Sequence, residues 1–549
     1  MQALLSGVRP WVILWGVCGL LYLPGIVFFP ITDPDEAHVM QSTRQMMQSG
    51  DFALVRFQDT LHPTTPPGLH WLQAASVHLF SHFADTTAWP YRVPSFLGIL
   101  LTVFMVFRLG CSFFDRRVAF VAGLIAATML VVVGNGHLAT TDAILMGLTT
   151  TAFGTMGMVY MQSRGGRPAP SWAAFVFWLS MGGAILVKGL SGPFFVIITA
   201  LSLICVDRRI DWLHGLRPVM GVLLCIALVA PWIASASDMT EGAFAETVLR
   251  EDVLPVLLGY GVGYVAWPGV YILLASIALW PASFLLWSAV RRSWQERALP
   301  GLRFLLVWLV PSWIVLELIP TKLPHYPLPL YPACALMIAT TVMAVRDDTR
   351  LLLWRWESLL WYGIWSLLGV ALAAGLVWLP LALGQGWGLG AIFAGVGVGV
   401  TLIGVWRFLL RGLFLPALVT ALAVSLPLYL VTFNFLLPSL SSLWISQSLA
   451  QELDRYAPGG RVVSVGYHEP SLVFLAGTDI LLLGPRAAAE ALEADQVDVA
   501  VVEERNLDTF QQSLSPKTSL DEKTVIDGVR SPQGQAVKLH ILVKGRGQR

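Results

Sequence analysis

Charge is what this sequence has least of. Asp, Glu, Lys and Arg make up 13% of its 549 residues, about half their share in an ordinary soluble domain. With 56% hydrophobic residues and 22 tryptophans, that shortage excludes a water-soluble globule and fits a chain that crosses a membrane many times. A charge excess is missing too: the net value is +1, and with no basic arm or base-reading motif nucleic acid is excluded as a partner. Cysteine is scarce. Cys18, Cys111, Cys205, Cys225 and Cys334 each stand alone in apolar surroundings, so they read as small buried side chains rather than as disulfides or metal ligands. There is no internal repeat and no low-complexity segment, and the first apolar run lacks a small-residue cleavage site, which makes it a retained span.

What is present is apolar sequence in lengths that cross a bilayer, about 20 residues each. Such runs occupy 11–30, 92–112, 117–134, 142–161, 171–187, 190–206, 218–236, 267–289, 303–319, 326–345, 357–380, 388–406 and 413–437. With Arg9 at a cytoplasmic N-terminus, every even-numbered gap is basic: Arg108 to Arg117, Arg164 and Arg167, Arg208 to Arg217, Arg291 to Arg303, Arg346 to Arg355, and Arg407 with Arg411. That is the positive-inside pattern. An odd number of spans, about thirteen, then delivers the C-terminal segment to the external side. The cations left outside are Arg44, Arg56, Arg92, Lys188, Arg250 and Lys322. They either pair with an anion or snorkel to headgroups.

The membrane domain is placed at 1–445, with external loops at 31–89 and 237–266, and a soluble α/β domain at 446–549. In the first loop Asp33 is expected to cap a helix, with Pro34 at its first position and Glu36 completing a capping box. Ala37, Met40 and Met47 give that helix an apolar side suited to lying on the membrane surface. Pro66 to Phe80 reads as a second interfacial helix with Trp71 as an anchor, and Gly259, Gly261 and Gly263 read as hinges of the second loop. Beyond Leu437, "RVVSVGY", "DILLL", "VDVAVVEE" and "AVKLHILVKG" read as strands, with "EPSLVFLAG" and "PRAAAEALEAD" as helices between them.

Acids stand where such a chain should avoid them. "ITDPDEAHVM" sets three carboxylates within four residues directly after the first span. Capping and the helix dipole account for Asp33 and Glu36 without any chemistry. They do not account for Asp142 at the outer start of another span, for Lys188 at an outer span end, or for "IPTKLPHYPLPLYP" at an outer mouth. Ionisable groups at a membrane edge are costly and usually functional. Carboxylates and two lysines at one depth suit a reaction on a lipid-linked phosphate, with cations holding the leaving phosphate and a carboxylate activating the nucleophile.

The ordered set "DPDEAHVMQSTRQMMQSGDFALVRFQDTLHPTTPPGLHWLQA", "TTDA", "VKG" and "TKLPHYPLPLYP" resembles the bacterial GT-C glycosyltransferases related to the lipid A aminoarabinose transferase and the protein O-mannosyltransferases. The resemblance covers roughly the whole chain. It implies a polytopic α-helical fold of GT-C type in the bacterial inner membrane, with a periplasmic C-terminal domain. It also implies inverting transfer of a sugar from a polyprenyl-phosphate donor to a lipid A, glycan, lipid or protein acceptor, among membrane lipids. Asp35, with Glu36 in the family's Asp-Glu pair, would supply the leading catalytic acid and Asp142 the second. Lys188, Lys322 and the Tyr326 hydroxyl would meet the donor phosphate, and His325 within "KLPHY" would touch ligand.

The chain departs from that pattern at His38, where relatives commonly carry Arg, and at "HPTTPPG", where Thr64 and Thr65 stand for cationic or ligand positions. A threonine does not attract phosphate as a lysine does. His38, His62 or Arg56 would compensate, Thr65 would meet a different substrate, or activity would be lower. His62, His70, His78 and His82 form no clean ligand constellation, so no metal ligand is assigned and a divalent-metal requirement stays open. Two rivals stand beside the transferase: a transporter or flippase of lipid-linked sugars, and a non-catalytic relative that binds them. A transporter would place its polar site near the midplane, often within inverted repeats, whereas here the charges gather at outer ends.

Overall fold

The computed structural model describes residues 10–82, 85–259, 264–344, 354–516, 518–530 and 534–544. Arg9, Gly261, Gly263, Arg346 and Arg350, used above for orientation and hinges, lie outside the described residues.

The chain opens with α1 (Pro10–Phe28), followed by α2 (Asp35–Ser49), a hairpin of β1 (Val55–Phe57) and β2 (Thr60–His62), and α3 (Gly68–Phe80). Then come α4 (Trp89–Phe113), α5 (Arg116–Thr128), α6 (Leu130–Gly136), α7 (Thr141–Ser163), α8 (Ala173–Lys188), α9 (Ser191–Asp207) and α10 (Pro218–Met239). A two-residue strand β3 (Tyr264–Val265) precedes α11 (Val270–Ala278), α12 (Leu286–Gln295) and α13 (Pro300–Leu318), and pairs antiparallel with β4 (Thr321–Lys322). The membrane part ends with α14 (Tyr331–Met343), α15 (Trp356–Ala382), α16 (Leu389–Leu409) and α17 (Phe414–Val431).

Every apolar run carries helix, as it must where no water is present to satisfy backbone groups. Among the described residues eight helices are long and apolar enough to cross a membrane, or nine if the bent pair α5–α6 is one span, while α8, α9 and the helix ending at Met343 are apolar but shorter. Two runs are not the straight spans the sequence implies. Run 117–134 bends by 61° between α5 and α6, because Met129 is extended and the Leu130 amide donates to the Trp280 carbonyl instead of extending the ladder. Run 267–289 breaks into α11, a 3-10 turn at Ala282–Leu285 and α12, since Pro281 has no N–H to donate and its ring crowds the preceding turn.

Small residues set the closest crossing. A Cβ on Gly98 of α4 would lie 2.5 Å from the Ala143 carbonyl oxygen of α7, and one on Gly147 would lie 2.6 Å from the Gly98 oxygen. The two backbones therefore touch, as membrane helices do at paired small residues, and the start of α7 is fixed against α4.

The loop helices differ from expectation. α2 does not lie on a surface: Glu36, Ala37, Met40, Gln41, Ser42, Thr43, Arg44 and Met46 are all buried, because its polar side is covered by protein as well. Nor does Asp33 cap it. Pro34 holds the cap position with no side-chain bond, and Asp33 instead accepts from the Ser471 amide at 2.8 Å and from the Ser471 hydroxyl. Thr32 takes the capping-box part, its amide and hydroxyl each donating to Glu36 at 3.0 Å.

The C-terminal segment continues with α18 (Ile445–Tyr456), β5 (Val462–Val465), α19 (Pro470–Ala476), β6 (Leu481–Leu482), α20 (Pro485–Glu493), β7 (Val499–Glu503), α21 (Glu504–Gln512), β8 (Leu520–Arg530) and β9 (Gln535–Lys544). Its sheet has the order β6-β5-β7-β9-β8, parallel across the first three strands and antiparallel beyond. Strand β8 is absent from the sequence reading, since its mixed charges and partial exposure fit a single-faced edge strand rather than an apolar run. The unit docks on α2. Arg44 donates to the Phe474 carbonyl at 2.8 Å, Gln41 to the Thr478 hydroxyl at 2.9 Å, and Phe474 packs with Met40, Val77, Tyr91 and Ala139.

Candidate active site

Asp142 sits in the first turn of α7 and Lys188 ends α8. The two helices pack together and are joined by a short connection, residues 164–172, so the start of one faces the end of the other. Acid at an N-terminus and base at a C-terminus each complement their helix dipole. Lys188 Nζ donates to Asp142 Oδ1 at 2.5 Å, with the two side chains 29% and 12% exposed. This pair is fixed and still reachable.

The loop after β4 closes over the pair. His325 Nδ1 lies 3.9 Å from Asp142 Oδ2, beyond hydrogen-bond length. Burial pushes the His325 imidazole below its ordinary value, Lys188 adds to the fall, and Asp142 and Asp35 oppose it. Tyr326 stands edge-on to His325 with ring centres 5.2 Å apart.

Asp35, the exposed first residue of α2, reaches into the same neighbourhood. It acts electrostatically on His325 and on His38 one turn along. His38 stacks on Phe57 at 4.4 Å and meets the edge of His62 at 5.4 Å. Burial, with His62 adding, pushes the His38 imidazole down to about 4. This histidine is neutral near pH 7 and so does not substitute for the charge of an arginine. Arg56 is exposed on β1. Thr64 and Thr65 are half-buried, and the Thr65 amide closes a turn onto the His62 carbonyl at 3.2 Å. Among the described residues no three His, Cys, Asp or Glu side chains converge as a metal set.

Two expected site residues are occupied elsewhere. Glu36 is fully buried, paired with Arg92 at 2.7 and 3.0 Å, and accepts from the Ala139 amide at 2.8 Å in addition to Thr32. Arg92 spends its remaining donors on the carbonyls of Ile26, Phe29 and Pro30. These bonds engage both carboxylate oxygens of Glu36 and tie the start of α2 to the start of α7. Lys322 donates to the carbonyls of Leu316 and Glu317 at 2.6 and 2.8 Å, lies 3.6 Å from the Glu317 carboxylate and stands over the Tyr271 ring. Burial pushes its ammonium below the ordinary value, Glu317 opposing. Those carbonyls end α13, so Lys322 caps a helix.

Four of the six external cations are thus matched to acids: Arg92 with Glu36, Lys188 with Asp142, Lys322 with Glu317, and the exposed Arg250 with Glu246. The network beneath α2 escaped the sequence reading. Thr43 joins His70 Nδ1 at 2.7 Å and Gln73 at 2.6 Å, and Gln73 donates to the carbonyls of Tyr91 and Ala139. Burial pushes His70 down to about 3, with His38 adding, so it is a neutral structural histidine. No sequence signal links residue 33 to 471 or 44 to 474.

The family model described as dolichyl-phosphate-mannose-protein mannosyltransferase matches residues 64–234. An undecaprenyl phosphate-alpha-4-amino-4-deoxy-L-arabinose arabinosyl transferase of Pectobacterium atrosepticum is 25% identical over 363 residues, 65% of this chain and 64% of its own length. The chain therefore spans a little less than two thirds of that relative. The transferase of the same description from Pseudomonas paraeruginosa is 25% identical over 421 residues, 76% of this chain and 75% of its own. Among solved structures, ArnT from Cupriavidus metallidurans, bound to undecaprenyl phosphate, superposes with a TM-score of 0.73 at 17% identity, covering 96% of this chain and 97% of that one.

Proposed function

We propose, from a chain that is a GT-C superfamily relative of the aminoarabinose transferases and the O-mannosyltransferases, that it is a multi-pass inner-membrane glycosyltransferase. It moves a sugar from a polyprenyl-phosphate carrier to an acceptor at the periplasmic face, with inversion. The observation that carries this reading is the Asp142–Lys188 pair beside His325 and Tyr326, at the helix ends that face Asp35. Lys188 has three donors and Asp142 takes one, which leaves the others for a phosphate. A carrier entering sideways would keep its chain in lipid and bring its phosphate to that ammonium. Asp35 accepts the proton of the acceptor hydroxyl or phosphate as its oxygen bonds the anomeric carbon. The bond from that carbon to the carrier phosphate breaks, and the phosphate leaves with the electron pair, its new charge met by Lys188. His325 and Tyr326 flank Asp142 and contact the donor. Arg56 meets the donor phosphate, and His38, His62 and Thr65 contact substrate.

The similarity to enzymes whose described donor is an undecaprenyl-phosphate aminoarabinose supports a pentosyl donor and lipid A as the first acceptor to assay. Transfer of labelled sugar by purified wild type and Asp35→Asn tests the assignment. The variant is expected to lose activity by roughly 100-fold or more, about 3 kcal/mol, with unchanged folding. Near-normal turnover would leave Asp35 as the first residue of a helix and nothing more. Mass spectrometry of envelope lipids and glycans with and without the gene identifies the acceptor; unchanged profiles together with facilitated movement of intact carrier would favour a flippase. An active phosphatase fusion within residues 446–549 places the C-terminal unit in the periplasm.

A further inference from the structure

At the other end of α7, about 34 Å away for its 23 residues at 1.5 Å each, three arginines converge on one cavity of about 590 Å³. Arg108 lies in the C-terminal part of α4, Arg116 begins α5 and Arg167 lies in the connection between α7 and α8, so three separate elements supply them. Trp11, Phe104 and Phe107 form the wall. Trp11 meets Trp15 and Phe104 edge-on at 5.0 and 6.3 Å, and Arg167 donates to the Cys111 carbonyl at 3.2 Å, which aims its guanidinium at the cavity.

Among the described residues no carboxylate lines this cavity or stands within ion-pair distance of the three arginines. Asp115, the nearest acid in sequence, turns its side chain to cap α5 through the amides of Arg117 and Val118. Other arginines of the same end have carboxylate partners: Arg164 and Arg303 share Asp207 at 2.6 Å, and Arg291 meets Glu357 at 2.5 Å. Three like charges around one apolar-walled space repel one another until an anion enters. A phosphate oxygen pair suits a guanidinium fork.

We infer that this cavity binds the phosphodiester headgroup of an anionic phospholipid, at the end of the bundle opposite the candidate active site. A lipid fits better than a free anion because the helices that build the cavity continue into exposed apolar surface at Trp15 and Leu20 of α1 and Leu97 of α4, along which acyl chains can lie. Basic pockets between membrane helices on the cytoplasmic side recognise such headgroups, each cation adding about 1 kcal/mol, or about fivefold.

Native mass spectrometry of the full-length protein in detergent, titrated with phosphatidylglycerol, tests this. One phosphatidylglycerol is expected to bind at least tenfold more tightly than phosphatidylcholine, undisplaced by millimolar inorganic phosphate. The triple variant Arg108→Gln, Arg116→Gln, Arg167→Gln should lose about 100-fold, and the exposed single variant Arg116→Gln, which leaves packing untouched, about fivefold. The pair Arg407→Gln, Arg411→Gln, on another basic loop, should bind as wild type does. Unchanged affinity in the single and triple variants, an equal loss in the Arg407/Arg411 pair, or displacement by inorganic phosphate would each overturn the assignment. The last two would leave a general basic surface or a free-anion site.

Discussion

Glu36–Arg92 and Asp142–Lys188 are both acid–base pairs at one end of the bundle, and their fates differ. The first is fully buried with all its acceptors and donors spent on protein; the second is 12% and 29% exposed and keeps donors unspent. A buried pair is hard to break because the survivor is left charged and unsolvated. A half-open pair keeps its charges where a ligand can share them. The contrast separates positioning from chemistry better than residue type does, since each pair is one carboxylate and one cation.

The largest expected effect follows from breaking the closed pair. Glu36→Gln should lower stability by about 3–5 kcal/mol, read as earlier thermal unfolding in detergent, and Arg92→Met added to it should recover part of the loss. An unchanged melting temperature in Glu36→Gln would show that the pair does not hold the loop. Asp142→Asn, in the open pair, is expected to unfold as wild type does but to transfer sugar about tenfold or more slowly, because Lys188 loses the partner that orients it.

The lysines sharpen the same contrast. Lys188→Ala should weaken binding of bare polyprenyl phosphate about tenfold, whereas Lys322→Ala should leave it unchanged and cost about 1 kcal/mol of stability by uncapping α13. A matched loss of phosphate binding in both variants would return Lys322 to the donor site. The smallest effect concerns pH. Burial raises Asp33 to about 6, with the Ser471 hydrogen bonds opposing and Glu36 adding, and raises Glu469 to about 7, with Asp33 adding and Arg530 opposing. Carboxylates with folded values above their ordinary 3.8 and 4.5 bind protons more tightly when folded. Docking of the C-terminal unit on α2 is therefore favoured below pH 4 and progressively loses that contribution as pH rises through 6 and 7. Hydrogen exchange of α2 at pH 5 and pH 8 should show greater protection at the lower pH, and Asp33→Asn should flatten the difference.

The membrane helices were legible because each apolar run exceeds the width of a bilayer, and their existence needs no knowledge of neighbours. The breaks at Met129 and Pro281 were less so: a proline marks the second, but the first depends on the carbonyl of Trp280, far away in sequence. At the site, Asp35, Asp142, Lys188, His325 and Tyr326 could be picked out as charged or polar groups at outer helix ends. Glu36 and Lys322 have the same local signature, yet their polar atoms are engaged by protein. What distinguishes them is a partner from elsewhere in the chain, Arg92 for one and the end of α13 for the other.

The sequence alone determined that the chain lives in a membrane, roughly where it crosses, and which ionisable groups stand at span ends, because hydrophobic length and charge scarcity are local quantities. Only the tertiary structure decided which of those groups remain available. Burial and hydrogen-bond saturation depend on residues brought together across hundreds of positions, as when Ser471 claims Asp33 and Ala139 claims Glu36, and no local pattern records such meetings.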